Sequence, residues 1–306
     1  FPRIAFNFDR VFHKFGTQGK QALTMAVGFG CNCCGVTGCR IIDSERDKNI
    51  AVVTNSFIPC NGKLPTIISI VSIFFTTTSL YFMNTIFITL IMMLIILFSV
   101  IITLLISLIL SKTVYKGMTS SFVLELPPFR KPQVIKTLIY SVKTKVLSVL
   151  SRAILVAIPS GAVIWIFANT SIYDKSLLFY ISEFLNPFGV LLGLDGVIIL
   201  SFILGFAANE TVVPIAVMTY MSNTVLIEFT NTQLYSLISN NGWTIATAMC
   251  FIVLCLFHFP CSTTCLTIYK ETKSIKTTFL SIILPTIVGL GLCLIINNLS
   301  LIISSL

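Results

Sequence analysis

Charge is what this sequence has least of. Only 10% of its 306 residues are Asp, Glu, Lys or Arg, 56% are apolar, and mean hydropathy is +0.97. A soluble domain is nearer a quarter charged, so water is not the main solvent here. Strict apolar–polar alternation is missing as well; the apolar runs are continuous, which argues against a membrane β-barrel. There is no nucleotide-binding loop. Gly16-Thr-Gln-Gly-Lys20 looks like half of one, but Lys14 stands where such a loop needs Gly, and Gln21 where it needs Ser or Thr. The sequence also lacks an initiator Met, and Phe1-Pro2-Arg3 does not resemble a signal peptide, so the chain is expected to start inside a longer protein.

What is present is length without charge. Leu64–Ser111 runs for 48 residues, Phe229–Tyr269 for 41, Ala153–Tyr173 for 21 and Thr277–Leu306 for 30. Each meets or exceeds the roughly 20 residues of a bilayer span. The expected fold class is all-α, a polytopic helical membrane protein. Leu64–Ser111 has room for two spans with a turn near Asn84, Pro159-Ser-Gly161 is expected to interrupt the third run, and Asp174–Asp195 reads as a short external segment.

The net charge of +9 follows from topology. Between Lys112 and Arg152 lie eight Lys or Arg against one acid, Glu125, which places this loop in the cytoplasm. Lys270, Lys273 and Lys276 mark a second cytoplasmic loop. No nucleic-acid partner is read from the basic balance; the lipid bilayer is the partner. Within the loop, ELPPFRKP (125–132) carries three prolines that stop a helix. After it Ile135, Ile139, Val142, Val146 and Val149 form one apolar stripe, suited to an interfacial helix or to one packed on a neighbouring domain.

Gly196–Met221 holds Gly205, AANET (207–211) and Pro214 at its centre. If it crossed once, the following span would exit on the side opposite its basic loop. Parity is restored if the segment enters and turns back at its polar centre, where irregular backbone needs protein or a water-filled cavity around it. A weak internal repeat accompanies this: GFGCN and FIPC60 in the first half, GFAANE and FHFPC261 in the second. Paired broken segments in two halves point to a transporter's midplane site. The expected organisation is a gate-like membrane half over 1–115, a loop with an amphipathic helix over 116–152, and a second gate-like half with C-terminal spans over 153–306.

An ionisable Glu210 in an apolar stretch is costly and is expected to face a cavity or a cation, with Asn209 as a neutral oxygen donor beside it. Cys60 and Cys261 each follow a proline, which frees a carbonyl four residues upstream and breaks the helix next to the thiol. His258 and Cys265 are secondary ligand candidates, whereas Cys250, Cys255 and Cys293 read as small hydrophobes. Thiols, imidazole and carboxylate suit borderline cations such as Fe²⁺ or Zn²⁺ better than Mg²⁺ or Ca²⁺. In GFGCNCCGVTGCR (28–40), adjacent Cys33 and Cys34 make poor disulfide partners, and the spacing fits neither a zinc ribbon nor an iron–sulfur pattern. A glycine-loosened segment whose thiols and carbonyls face an ion path competes with these as a fourth reading.

GFGCN (28–32), CRIIDSERDK (39–48), SFIPCNGKLP (56–65), LELPPFRKP (124–132), GFAANETVV (205–213) and FHFPCSTT (257–264) together resemble FeoB-type ferrous iron transporters over essentially the whole chain. The resemblance implies Fe²⁺ as cargo across the cytoplasmic membrane of a prokaryote. It implies path thiols at Cys31, Cys60 and Cys261, and an acidic residue at Glu210, with Asn32 inside the first motif. It implies an N-terminal GTP-binding domain with Mg²⁺ that lies outside these residues, so that this chain itself is not an enzyme. A small FeoA-like cytoplasmic partner and a homo-oligomer belong to the same implication. Cys33-Cys34-Gly35 and Cys39 depart from the usual pattern and resemble a cysteine-rich subgroup, leaving the roles of Cys33, Cys34 and Cys39 open. A carrier for nucleosides or other organic solutes, and a membrane-embedded metal or redox sensor, are the alternatives.

Overall fold

The computed structural model describes residues 2–75, 81–117, 133–172, 175–221 and 231–305. Its first half contains α1 (Pro2–Lys14), α2 (Lys20–Gly30), α3 (Asn32–Gly38), α4 (Glu45–Thr54), α5 (Leu64–Phe74) and α6 (Tyr81–Lys112). Next come α7 (Val134–Ser141) and α8 (Leu147–Asn169), joined by one π-helical turn, then α9 (Leu177–Leu191), α10 (Gly196–Leu204) and α11 (Val212–Tyr220). The last four are α12 (Asn231–Asn240), α13 (Ile245–Phe257), α14 (Ser262–Thr272) and α15 (Ile275–Ser305). Among the described residues the only strands are two residues each, Ser171–Ile172 paired with Lys175–Ser176. Among the described residues, four stretches are long and apolar enough to cross a membrane: Asn84–Lys112, Val149–Asn169, Ile245–Thr272 and Ile275–Ile303. The pair α9–α10, bent by 109°, is a candidate fifth. The architecture is all-α and polytopic.

Three local expectations are corrected. Asn84 lies in the first turn of α6, which begins at Tyr81 and runs on through it. One Asn costs a helix only about half a kcal/mol, too little to break a run that must satisfy its own backbone. Pro159 sits inside α8 without ending it; the proline leaves only Leu155 O without its N–H, a loss that membrane helices tolerate. The segment 174–195 is mostly α9, whose Leu178, Ser182 and Gly189 form one buried face at helical spacing. The loop sequence ELPPFRKP lies outside the described residues. Ile135, Ile139, Val142 and Val146 are all exposed along α7 and the turn after it.

Two helix pairs fold back on themselves. The second is α10–α11, broken at 205–208 with Ala208 extended (φ −148°, ψ 122°) and a 3-10 turn over Asn209–Thr211. Asp195 caps α10 by accepting from Ile198 N (2.7 Å), and its other oxygen accepts from the Tyr220 hydroxyl at the far end of α11. The start and end of the segment meet, so it folds back as a hairpin. The first pair, α2–α3, turns around Cys31 (φ −157°, ψ 125°), and Lys20 at its start forms an ion pair with Asp43 just beyond its end.

These hairpins are copies at a constant separation of 177 positions, Gly19 matching Gly196 and Asn32 matching Asn209. Gly19 N–H donates to Asp9 Oδ1 (2.7 Å), as Gly196 N–H does to Asn186 Oδ1 (3.1 Å). A Cβ on Gly19 would fall 2.0 Å from Ala5 O, and one on Gly196 1.9 Å from Ser182 O. Gly16 (φ +75°) makes the turn before α2. The glycines of GTQGK therefore serve a turn and a close approach.

The copies are inverted. Arg40, at the mouth of the first hairpin, donates to both carboxylate oxygens of Glu271 at the end of α14 (2.7 and 2.6 Å). At the mouth of the second, Tyr220 OH accepts from Trp243 Nε1 (2.9 Å) just before α13. Ile245–Thr272 spans 28 residues, about 40 Å as helix, so the mouths face opposite ends of the bundle. Phe74, at the end of α5, stacks on Trp243 (6.3 Å between ring centroids), so α4–α5 runs antiparallel to α13–α14. This is the inverted-repeat geometry of secondary transporters.

Candidate functional site

Four backbone breaks meet in the interior: two hairpin tips and two Pro-Cys interruptions. Each tip is pinned to the Pro-Cys break of its own half. In the first half, Asn55 Nδ2 donates to Asn32 O (3.0 Å), and the Asn32 amide lies 3.2 Å from both Gly28 O and Ile58 O, so the orientation that satisfies it turns its nitrogen to donate to them. Gly28 and Gly35 are required there, since a Cβ on either would lie 2.5 Å from Asn55 Oδ1. In the second half, Ser262 N donates to Phe206 O (2.8 Å) and Ser262 Oγ to Ala207 O (3.2 Å).

The thiols of Cys31, Cys60 and Cys261 are each half-buried, and those of Cys31 and Cys60 both lie within electrostatic reach of Cys261. The position a Cβ would take on Gly62 is 3.7 Å from Glu210 Oε2 and 3.9 Å from Cys60 Sγ. A carboxylate from the second-half tip and a thiol from the first-half break thus converge on one point. Glu210 is exposed, with no hydrogen bond or ion pair among the described residues, so it does not cap a helix inside the bundle. Asn209 is buried and its Oδ1 has no partner, leaving an amide oxygen free beside the break.

The remaining candidates divide by burial. Cys33 Sγ lies 3.0 Å from Thr267 Oγ1. The Thr267 hydroxyl donates to Thr263 O (2.8 Å) and accepts from Arg152 (2.7 Å), so the Cys33 thiol is the donor of that bond. Cys33 therefore links the first hairpin to α14. Cys34 is half-buried and, like Cys33, interacts with the Cys31 thiol. Cys39 is fully buried in a small core with Val36, Ile42, Ala51, Val52 and Ile268, its thiol donating to Gly35 O (3.4 Å). Cys265 is buried and donates to Pro260 O (3.5 Å). His258 is buried, with Nδ1 2.5 Å from Phe259 O; Nδ1 donates there, leaving Nε2 without a partner. Among the described residues no three His, Cys, Asp or Glu side chains converge tightly enough to hold a metal ion. The candidate residues are instead spread out along a line of breaks.

Sequence reasoning missed three contributors. Lys63 is 0% exposed, and its Nζ donates to Leu256 O at 3.0 Å. In the sequence it only marks the edge of a charge-free run. Ser99, Thr103 and Ser107 make a buried polar stripe along the otherwise apolar α6, and Ser99 Oγ donates to Phe57 O at the first Pro-Cys break (2.8 Å). Their spacing of four was the available signal. Thr264 Oγ1 lies 3.2 Å from Cys261 Sγ.

Comparison with known proteins places this geometry. The family model Gate, described as nucleoside recognition, matches residues 1–74 and 150–275, and the model for the ferrous iron transport protein B C terminus matches 92–143. The chain is similar to the Fe(2+) transporter FeoB of Staphylococcus aureus, at 28% identity over 93% of this chain and 41% of that protein. It is also similar to that of Campylobacter jejuni, at 26% over 90% of this chain and 46% of the relative. The Helicobacter pylori transporter matches at 26% over 59% of this chain and 27% of its own length. The chain thus spans less than half the length of these relatives. No solved structure matches it. The chain belongs to the Gate family and corresponds to the C-terminal membrane portion of FeoB-type proteins.

Proposed function

We propose that this chain conducts ferrous iron across the cytoplasmic membrane, through a path lined by the thiols of Cys31, Cys60 and Cys261 and the oxygens of Glu210 and Asn209. The observation that carries this reading is the convergence of Glu210 Oε2 and Cys60 Sγ on Gly62, one group from each inverted half. Thiolate and carboxylate together favour a borderline divalent cation. Spreading the ligands over several breaks keeps each stop weak enough to release the ion. The printed names of the relatives, Fe(2+) transporter FeoB, support Fe²⁺ as the cargo. Gating by a GTP-binding module with its Mg²⁺, a FeoA-like cytoplasmic partner and self-association complete the reading. The basic loop 112–152 lies on the cytoplasmic side.

The test is ⁵⁵Fe²⁺ uptake into liposomes carrying the transporter. The Cys60→Ser/Cys261→Ser variant should lose about tenfold or more in rate, the scale on which a perturbed metal site loses affinity. An unchanged rate would refute the thiol path. The family description makes labelled uridine the natural competitor: uptake of uridine with no Fe²⁺ flux would favour a nucleoside carrier.

A further inference from the structure

Lys63 is an unusual group to find at the centre of a cation path. It is fully buried, and no carboxylate pairs with it among the described residues. A buried lysine without an ion-pair partner is costly and survives only where something requires it. Its single hydrogen-bond acceptor explains the requirement. In an α-helix, Leu256 O would receive the N–H of residue 260, but residue 260 is proline and has none. α13 ends at Phe257, His258 is extended (φ −78°, ψ 169°) and Pro260 bars the helix from resuming, so Leu256 O at its end is left without a backbone N–H. Lys63 reaches across from the other half and fills it at 3.0 Å. The first-half break needs no such help: Pro59 frees Asn55 O, and Ile58 N takes it at 3.2 Å. Lys63 stands three residues after Cys60, where the matching position after Cys261 is Thr264, so the lysine has no counterpart in the repeat.

A freed carbonyl at a helix C-terminus is a hard ligand, the kind that holds Na⁺, Mg²⁺, Ca²⁺ or Mn²⁺. We propose that Lys63 is a selectivity residue: by occupying the Leu256 carbonyl, it withholds a hard oxygen from the path and leaves the Cys60 and Cys261 thiols to choose the cation. The same side chain lies within electrostatic reach of the Cys60, Cys255 and Cys261 thiols, so it stands where the two thiol-bearing breaks face each other. A purely structural role for Lys63 predicts lost stability with unchanged preference among cations. Selectivity predicts a changed preference.

The inference rests on the proposed ion path, and its test has two arms. In liposomes, Lys63→Met should lower the ratio of Fe²⁺ to Mn²⁺ flux by about tenfold, the scale of a gained hard ligand, whereas Lys63→Arg, which still donates, should keep the wild-type ratio. In detergent, electron paramagnetic resonance of free Mn²⁺ added to the purified protein should show binding to Lys63→Met at about tenfold lower concentration than to wild type or Lys63→Arg. Equal flux ratios and equal Mn²⁺ binding in all variants would overturn the proposal. So would a proportional loss of both cations in Lys63→Met that leaves their flux ratio and the Mn²⁺ binding unchanged. A wild-type protein that moves no Fe²⁺ would refute the iron path, while the Mn²⁺ arm would still decide the role of Lys63.

Discussion

At Gly196 one methyl group decides whether the second hairpin can close. A Cβ there would sit 1.9 Å from Ser182 O and 2.7 Å from Asn186 N, both backbone atoms that cannot turn aside. Gly196→Ala should cost about 1–3 kcal/mol or more, the range for overpacking a close contact, and should lower the melting temperature in detergent by several degrees. Gly161→Ala is the control. A Cβ on Gly161 meets nothing within 4 Å, and helix propensity should then favour alanine by up to about 1 kcal/mol. Equal melting temperatures for the two variants would contradict this packing. The sequence displays all sixteen glycines alike; which of them touch backbone is a fact of tertiary contact. The same holds for cysteine. Cys31, Cys60 and Cys261 are legible because each sits at a recognisable break, but the use of the Cys33 proton depends on Thr267, 234 positions away.

Elements are held to one another by contacts between the two halves. Arg40 grips Glu271 with two hydrogen bonds, and the Glu271 carboxylate is only 5% exposed while Arg40 is 61% exposed. The carboxylate pushes the Arg40 pKa further up through this hydrogen bonding, so the guanidinium stays charged at any working pH. Solvent around Arg40 screens the pair, so its coupling in a double-mutant cycle should be under about 1 kcal/mol. Arg40→Gln alone should cost more, about 1–3 kcal/mol, because it leaves a buried carboxylate short of donors. Thermal melts of Arg40→Gln, Glu271→Gln and the double variant check this, and single-variant losses that simply add would mean the groups do not interact. At this scale the sequence was informative about where elements break and less so about which elements exist. Pro-Cys and Gly-Phe motifs are local chemistry. By contrast, α9 lay within a segment read as short and external, its buried face at helical spacing unnoticed, and Pro159 was read as a break although α8 runs through it.

For the whole molecule, the inverted repeat fixes which surfaces share a side of the membrane. Ile41, exposed beside Arg40, belongs with the basic loops, and Asn241, exposed before α13, belongs with the opposite face. In oriented vesicles, Ile41→Cys should add one impermeant maleimide–polyethylene glycol step from the cytoplasmic side only, and Asn241→Cys one step from the other side only. Labelling of both from one side would refute the inversion. The sequence by itself determined the solvent, the all-α class, the break points and the family, because hydropathy, proline chemistry and short motifs are written along the chain. Tertiary structure alone decided that the hairpins are inverted copies. It also decided that Glu210 and Cys60 both come within 4 Å of the Cβ position of Gly62, and that Lys63 fills the carbonyl of Leu256. A missing N–H is a local property of proline, but the group that replaces it comes from wherever the fold brings a donor, here 197 positions earlier in the chain.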